Sequence, residues 1–119
     1  MHITPALMEA AYELLRITPP FRKWKLAEPD DVVFRIIKTE LTRGTFYRAG
    51  KRGSKLPTIE ISMKCIGSVH SLITTMAHEM THMHEDTNHV ARDDVMHSAR
   101  FKRLAAQVCR HHGFDAKLF

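Results

Sequence analysis

His78-Glu79-Met80-Thr81-His82 lies inside an apolar-periodic run from Ser68 to Asp86. Val69, Leu72, Ile73, Met76, Met80 and Met83 recur there at three- and four-residue spacing. Steps of 100° gather them into one stripe, the signature of a helix with a core-facing side. His78 and His82 fall on the far side with Ser71 and Thr75, one imidazole above the other at i and i+4. Two imidazoles so placed take two corners of a tetrahedral zinc site, and Glu79 stands beside the coordinated water. The bland alternative is a helix surface that happens to carry His78, His82, Met83 and His84. With 9 His and 7 Glu among 119 residues, H-E-x-x-H has about a 4% chance of arising by accident. The position of both histidines opposite a Met-lined stripe argues against accident.

Around this helix the chain reads as α+β. Thr4 before Pro5 is an N-cap with proline in the first turn, and Leu7, Ala11, Leu14 and Leu15 carry a helix over about 5–17, until Thr18-Pro19-Pro20 stops it. Phe21 to Asp30 reads as a connector holding the only Trp and the basic trio Arg22, Lys23 and Lys25. A small antiparallel or mixed three-stranded sheet is expected over about 31–63. Its strands are the β-branched run Val32–Ile37, the short Thr45-Phe46-Tyr47 after Gly44, and the alternating Thr58–Met63. The motif helix follows over about 68–86, then a polar loop over 87–96 that is expected to lie over the site. Ser98 caps a last helix over about 98–112, with the stripe Phe101, Leu104, Ala105 and Val108 and with Gly113 at its end. The whole of 1–119 is expected to form one domain, the sheet packed on helices with H-E-x-x-H on the central one.

A catalytic zinc site takes three protein ligands. His84 sits well round the helix from His78 and His82. The metzincin spacing would put Gly at position 85 and His at position 88, where this chain has Glu85 and Asn88, with His89 one residue late. His111 and His112 read as partners of the negative helix end. His97, just ahead of a capped helix, is the favoured third ligand. Asp93, Asp94 and His89 stay open as alternatives.

Composition narrows the class. The 44% hydrophobic and 26% charged content is ordinary for a globular protein. A net charge of +5 and a pI near 9.5 favour an acidic partner, nucleic acid above all, although solubility alone accounts for such a charge. Cys65 and Cys109 are isolated, so neither a zinc ribbon nor a disulfide framework is expected. The first residues lack a basic stretch followed by an apolar one, and no run reaches membrane-spanning length, so a cytoplasmic location is expected, with no membrane partner.

From roughly Val32 to Gly113 the chain resembles an SprT-like (Spartan-type) metallopeptidase domain. A small sheet ending in Thr58–Ser62 precedes His78-Glu79-Met80-Thr81-His82, and a variable loop leads to His97 ahead of a helix with Phe101 in its first turn. Met96 and Ser98 stand where the family often has glycines. The zinc ribbon of bacterial relatives and the recognition tail of animal ones have no counterpart in these 119 residues. The resemblance implies a zincin-like fold, with one Zn²⁺ held by His78, His82 and His97 and Glu79 as the catalytic glutamate. It implies a protein or peptide substrate, paired as an added strand along Thr58–Met63, and an association with DNA, because Spartan-type proteins cleave proteins crosslinked to it.

On this reading zinc brings the pKa of water to about 7, and Glu79 is the general base. Tyr47, His89 and Arg100 are unranked candidates for a second oxyanion donor. Arg100, Arg103 and Arg110 on the last helix, with Lys51, Arg52 and Lys55 in the strand-connecting turn, are candidates for a phosphate-tracking surface, against an ordinary solvated charged face. Two other classes share the motif. One is a zinc- and DNA-binding protein without peptidase activity; the other is a regulatory ImmA-type protease that cuts a repressor.

Overall fold

Thr4 Oγ1 accepts a hydrogen bond from the Leu7 amide, and Pro5 opens the first helix, α1, over Pro5–Arg16. The structure, a computed structural model, describes residues 1–51, 53–88 and 97–119. Phe21–Trp24 forms a short helix, α2, and Pro29–Asp31 a single 3-10 turn, where the sequence reads only as a connector. Three strands come next, β1 over Val33–Ile37, β2 over Gly44–Tyr47 and β3 over Thr58–Ser62. The long helix α3 spans Val69–Asn88 and α4 spans Ala99–His112. α3 therefore runs on through two positions read as loop. Residues 89–96 of the expected loop, with His89, Asp93 and Asp94, lie outside the described residues, as does Arg52.

The sheet is mixed, in the order β1-β3-β2, with β3 parallel to β1 and antiparallel to β2. This corrects one expectation: Thr58–Met63 is no edge for an incoming strand, because β3 is hydrogen-bonded on both sides. Every residue of β3 is buried, Glu60 included. Ile59 and Ile61 pair with Phe34 and Ile36 of β1 and with Phe46 and Gly44 of β2, on the face that meets the helices. Thr58, Glu60 and Ser62 alternate onto the other face, where Arg35 and Thr45 flank Glu60.

α3 packs along this sheet through Leu72, Met76, Ala77, Met80 and Met83, all buried with Tyr12, Ile59 and Ile61. Burying each large side chain of this kind contributes about 1.5–3 kcal/mol, so these residues pin α3 by one side. The expected stripe is off at its first position. Val69 is 61% exposed, because the helix starts there, with Ser68 Oγ accepting from the Ser71 amide, and the core begins a turn later. At the other end of the fold, α4 behaves as its sequence indicates. Ser98 Oγ accepts from the Phe101 amide, and Gly113 adopts the left-handed conformation, φ 73°, that closes a helix without a Cβ clash. Among the described residues, no helix is long and apolar enough to cross a membrane.

Candidate metal centre

Positions 75, 78, 79 and 82 of α3 follow i, i+3, i+4, i+7 spacing, so Thr75, His78, Glu79 and His82 share one side, with the two histidines turned away from the Met stripe. Met76 and Met80 hold that side in register from below. His97 arrives from the separate segment leading into α4. Its backbone is fixed by Ser98, whose hydroxyl caps α4 and also donates to the Glu85 carboxylate of α3. Ser98 thus ties the two helices together beside His97.

The three histidines converge. One ligand nitrogen each from His78, His82 and His97 lies within 4.8 Å of the others, and the ring centroids are 4.9–5.2 Å apart. Phe101, one turn into α4, stacks on His82 at 4.2 Å and on His97 at 4.7 Å. Burial, followed by the closeness of His82 and His97, lowers the His78 pKa to about 3, and burial followed by His97 lowers that of His82 to about 4. At neutral pH these two imidazoles are uncharged, the state in which a ring nitrogen offers its lone pair. Three histidine side chains close enough to share one ion form a donor set that suits zinc and other first-row divalent metals alike.

Glu79 is the buried acid of the group, 4% exposed, and burial alone raises its carboxyl to about 8. Gly44, at the start of β2, makes room for it. A Cβ there would sit 3.0 Å from both the Glu60 carbonyl oxygen and Thr75 Cγ2, and 3.3 Å from Glu79 Oε2. Gly44→Ala is therefore expected to destabilise the fold by about 1–3 kcal/mol, the usual cost of overpacking, and to move the Glu79 carboxylate. Thermal unfolding and the ring-to-carboxylate distances in a structure of the variant check this. The Thr75 hydroxyl on the same side is buried with no hydrogen-bond partner among the described residues.

These shifts set the pH response of the metal-free chain. His78 and His82 titrate lower folded than at their ordinary 6.5, so the unfolded chain gains protons first, and stability falls as pH drops below about 6.5. Glu79 titrates higher folded than at its ordinary 4.5. The unfolded chain then loses its proton first, and stability falls as pH rises from about 4.5 towards 8. With two histidines opposing one carboxyl, the metal-free protein is expected to be most stable near pH 6–7. Urea unfolding in excess chelator from pH 4 to 9 checks it; a plateau up to pH 9 would contradict the Glu79 contribution.

The remaining sequence candidates are scattered. Phe46 packs into the core, so alternation sets Tyr47 on the opposite face of β2, away from the triad. Arg100 is turned partly inward, its Nε buried without a hydrogen-bond partner among the described residues, and its charge acts on His84. His84 in turn stacks on Trp24 at 4.2 Å with the rings 7° from parallel. Lys51, Lys55, Arg103 and Arg110 are exposed. Two residues at the site, Gly44 and Phe119, carry no signal in the sequence. Phe119 lies beyond the last helix, yet its ring is 5.2 Å from that of His78. No family model matches the chain and no curated protein matches it, so the site is read from its own geometry.

Proposed function

We propose that this chain is a zinc-dependent endopeptidase with a zincin-like arrangement, of the SprT-like kind that its motif and third histidine resemble. One observation carries the reading: three histidines from two separate segments meet above a buried glutamate one residue from the first of them. His78, His82 and His97 would hold the ion. When bound, zinc supplies a Lewis acid that polarises a carbonyl and makes water acidic near neutral pH. The Glu79 carboxylate accepts the proton from the attacking water and passes it to the leaving amine. Burial raises its basicity toward the working pH, as general-base catalysis needs. Among the described residues β2 pairs with β3 alone, so an extended substrate is expected to add along β2 rather than β3, passing Gly44 close to Glu79.

The DNA association is the second element of the proposal. Arg103 and Arg110 on α4, and Lys51 and Lys55 in the β2–β3 connection, are solvent-facing cations on a chain of net charge +5, able to track phosphates. Zinc-loaded protein is expected to cleave an unfolded protein such as casein, faster with single-stranded DNA present, and to stop in excess chelator. Mass spectrometry of the products reads this out. No cleavage with or without DNA would leave a metal- and DNA-binding protein; DNA binding insensitive to salt would remove the phosphate-tracking surface.

A further inference from the structure

The row that carries Glu79 continues along α3. Positions 79, 83 and 86 follow i, i+4, i+7 spacing, so Glu79, Met83 and Asp86 share one side of the helix. β2 runs beside this row. Gly44 approaches Glu79, and Phe46, two residues on, faces the helices as Gly44 does. Arg48, just past the strand, has its Nε 3.2 Å from Asp86 Oδ1. Strand and helix advance together, since two strand residues cover about 7 Å and four helical residues about 6 Å. One such step from the Gly44–Glu79 contact, Phe46 and Met83 line a cavity of about 380 Å³ together with Trp24, Ala27, Ala49 and Asp86. Its walls are held from behind. The Tyr12 hydroxyl donates to the Ala27 carbonyl at 2.5 Å and lies 3.5 Å from Met83 Sδ, and Trp24 is stacked on His84.

Preformed cavities of about 300–1,000 Å³ with mostly apolar walls are the usual receptors for apolar groups. The charged residues of this one, Lys25 and Asp86, are of opposite sign, and Asp86 already meets Arg48, which favours an uncharged occupant. We propose that the cavity takes a large apolar side chain of the substrate, at one fixed position about two to four residues from the cleaved bond. This rests on the peptidase reading above, in which an extended substrate adds along β2. Such a strand turns a side chain toward the helices at every second residue. When one residue passes Gly44 beside Glu79, the residue two away therefore stands level with Phe46 and the cavity. Pairing of main chains along β2 is blind to sequence, and the cavity adds the selection. The flexible thioether of Met83 in its wall lets leucine and phenylalanine both fit.

Digestion of casein by the zinc-loaded protein, with the products sequenced by mass spectrometry, reads the residues around each cut. A large apolar residue is expected about 10-fold more often than alanine at one fixed position, the selection a side-chain pocket gives. Ala49 is exposed where it lines the cavity, so Ala49→Phe fills the space without touching the core. It should bring the ratio to within about twofold of unity, whereas Ala49→Ser should keep the preference. Binding is read separately. Trp24 is the only Trp of the chain, so its fluorescence reports the cavity directly. N-acetyl-leucinamide is expected to shift the emission of wild type and not that of Ala49→Phe, and N-acetylglycinamide to shift neither. No positional preference, or one that Ala49→Phe leaves intact, would overturn the proposal, as would equal responses of wild type to the two amides. If Ala49→Phe does not fold, the two amides on wild type decide. If wild type cleaves nothing, the peptidase reading fails, while the amide titration still decides whether the cavity takes an apolar side chain.

Discussion

Glu79→Gln is expected to lower peptide hydrolysis by about 10²–10⁴-fold, the contribution of a positioned general base, while leaving one zinc bound per chain. The two halves of that expectation have separate causes. Zinc binding depends on three imidazoles, and the amide of glutamine occupies the carboxylate's volume beside Thr75 and Gly44 without disturbing the turn that sets His78 against His82. Hydrolysis depends on a group able to take a proton, which an amide cannot. The variant should also be more stable than wild type when metal-free above pH 7. Wild type must there either keep a buried carboxyl protonated at about 8 or bury its charge, and glutamine does neither. A rise in alkaline stability together with a loss of turnover would show that Glu79 is retained for chemistry against the interest of the fold. A variant that cleaves as fast as wild type would sink the assignment of Glu79. Zinc stoichiometry, a cleavage assay and urea unfolding at pH 8 measure all three parts.

How far the sequence reveals this site depends on the range of the interactions involved. The motif helix is readable because its information is local. Met76, Met80 and Met83 lie in one stripe and His78 and His82 lie on the far side of it, whatever the stripe packs on. Ser98 and Gly113 are readable for the same reason, each acting within one turn. The pairing of β3 is not local. Thr58-Ile59-Glu60-Ile61-Ser62 alternates like a half-exposed edge strand, yet it is central, because β1 reaches it by a parallel crossover that runs through β2. Its polar residues are buried between neighbouring strands rather than by their own pattern. Trp24 sits in a connector without periodicity, yet it packs against the core and stacks on His84 in the C-terminal part of α3. Phe119 reads as nothing at all, because the short tail after a helix end carries no periodicity, and only the tertiary fold brings its ring to His78.

Among the ligands, His97→Ala separates the three-histidine centre from its alternatives most cleanly. His97 is exposed and does not belong to the core, so its removal should change the metal-free stability by no more than about 0.5 kcal/mol. Phe101 still stacks on His82, and Ser98 still caps α4 and holds Glu85, so the helices keep their places. What disappears is one of three converging nitrogens. The zinc affinity is expected to fall by more than about 100-fold, beyond the range that losing an outer partner costs. At a zinc concentration about 1,000 times the wild-type dissociation constant, binding adds about 4 kcal/mol of stability to wild type. A variant about 100-fold weaker keeps only about 1.4 kcal/mol of it at the same concentration. Thermal unfolding with and without zinc, run beside a chelator competition, reads both quantities from one preparation. Retained tight binding would transfer the third position to Asp93, Asp94 or His89. Loss of binding with the metal-free fold intact would establish that the centre is built across two segments, so that the Ser98–Glu85 contact joining α4 to α3 also sets the distance between its ligands.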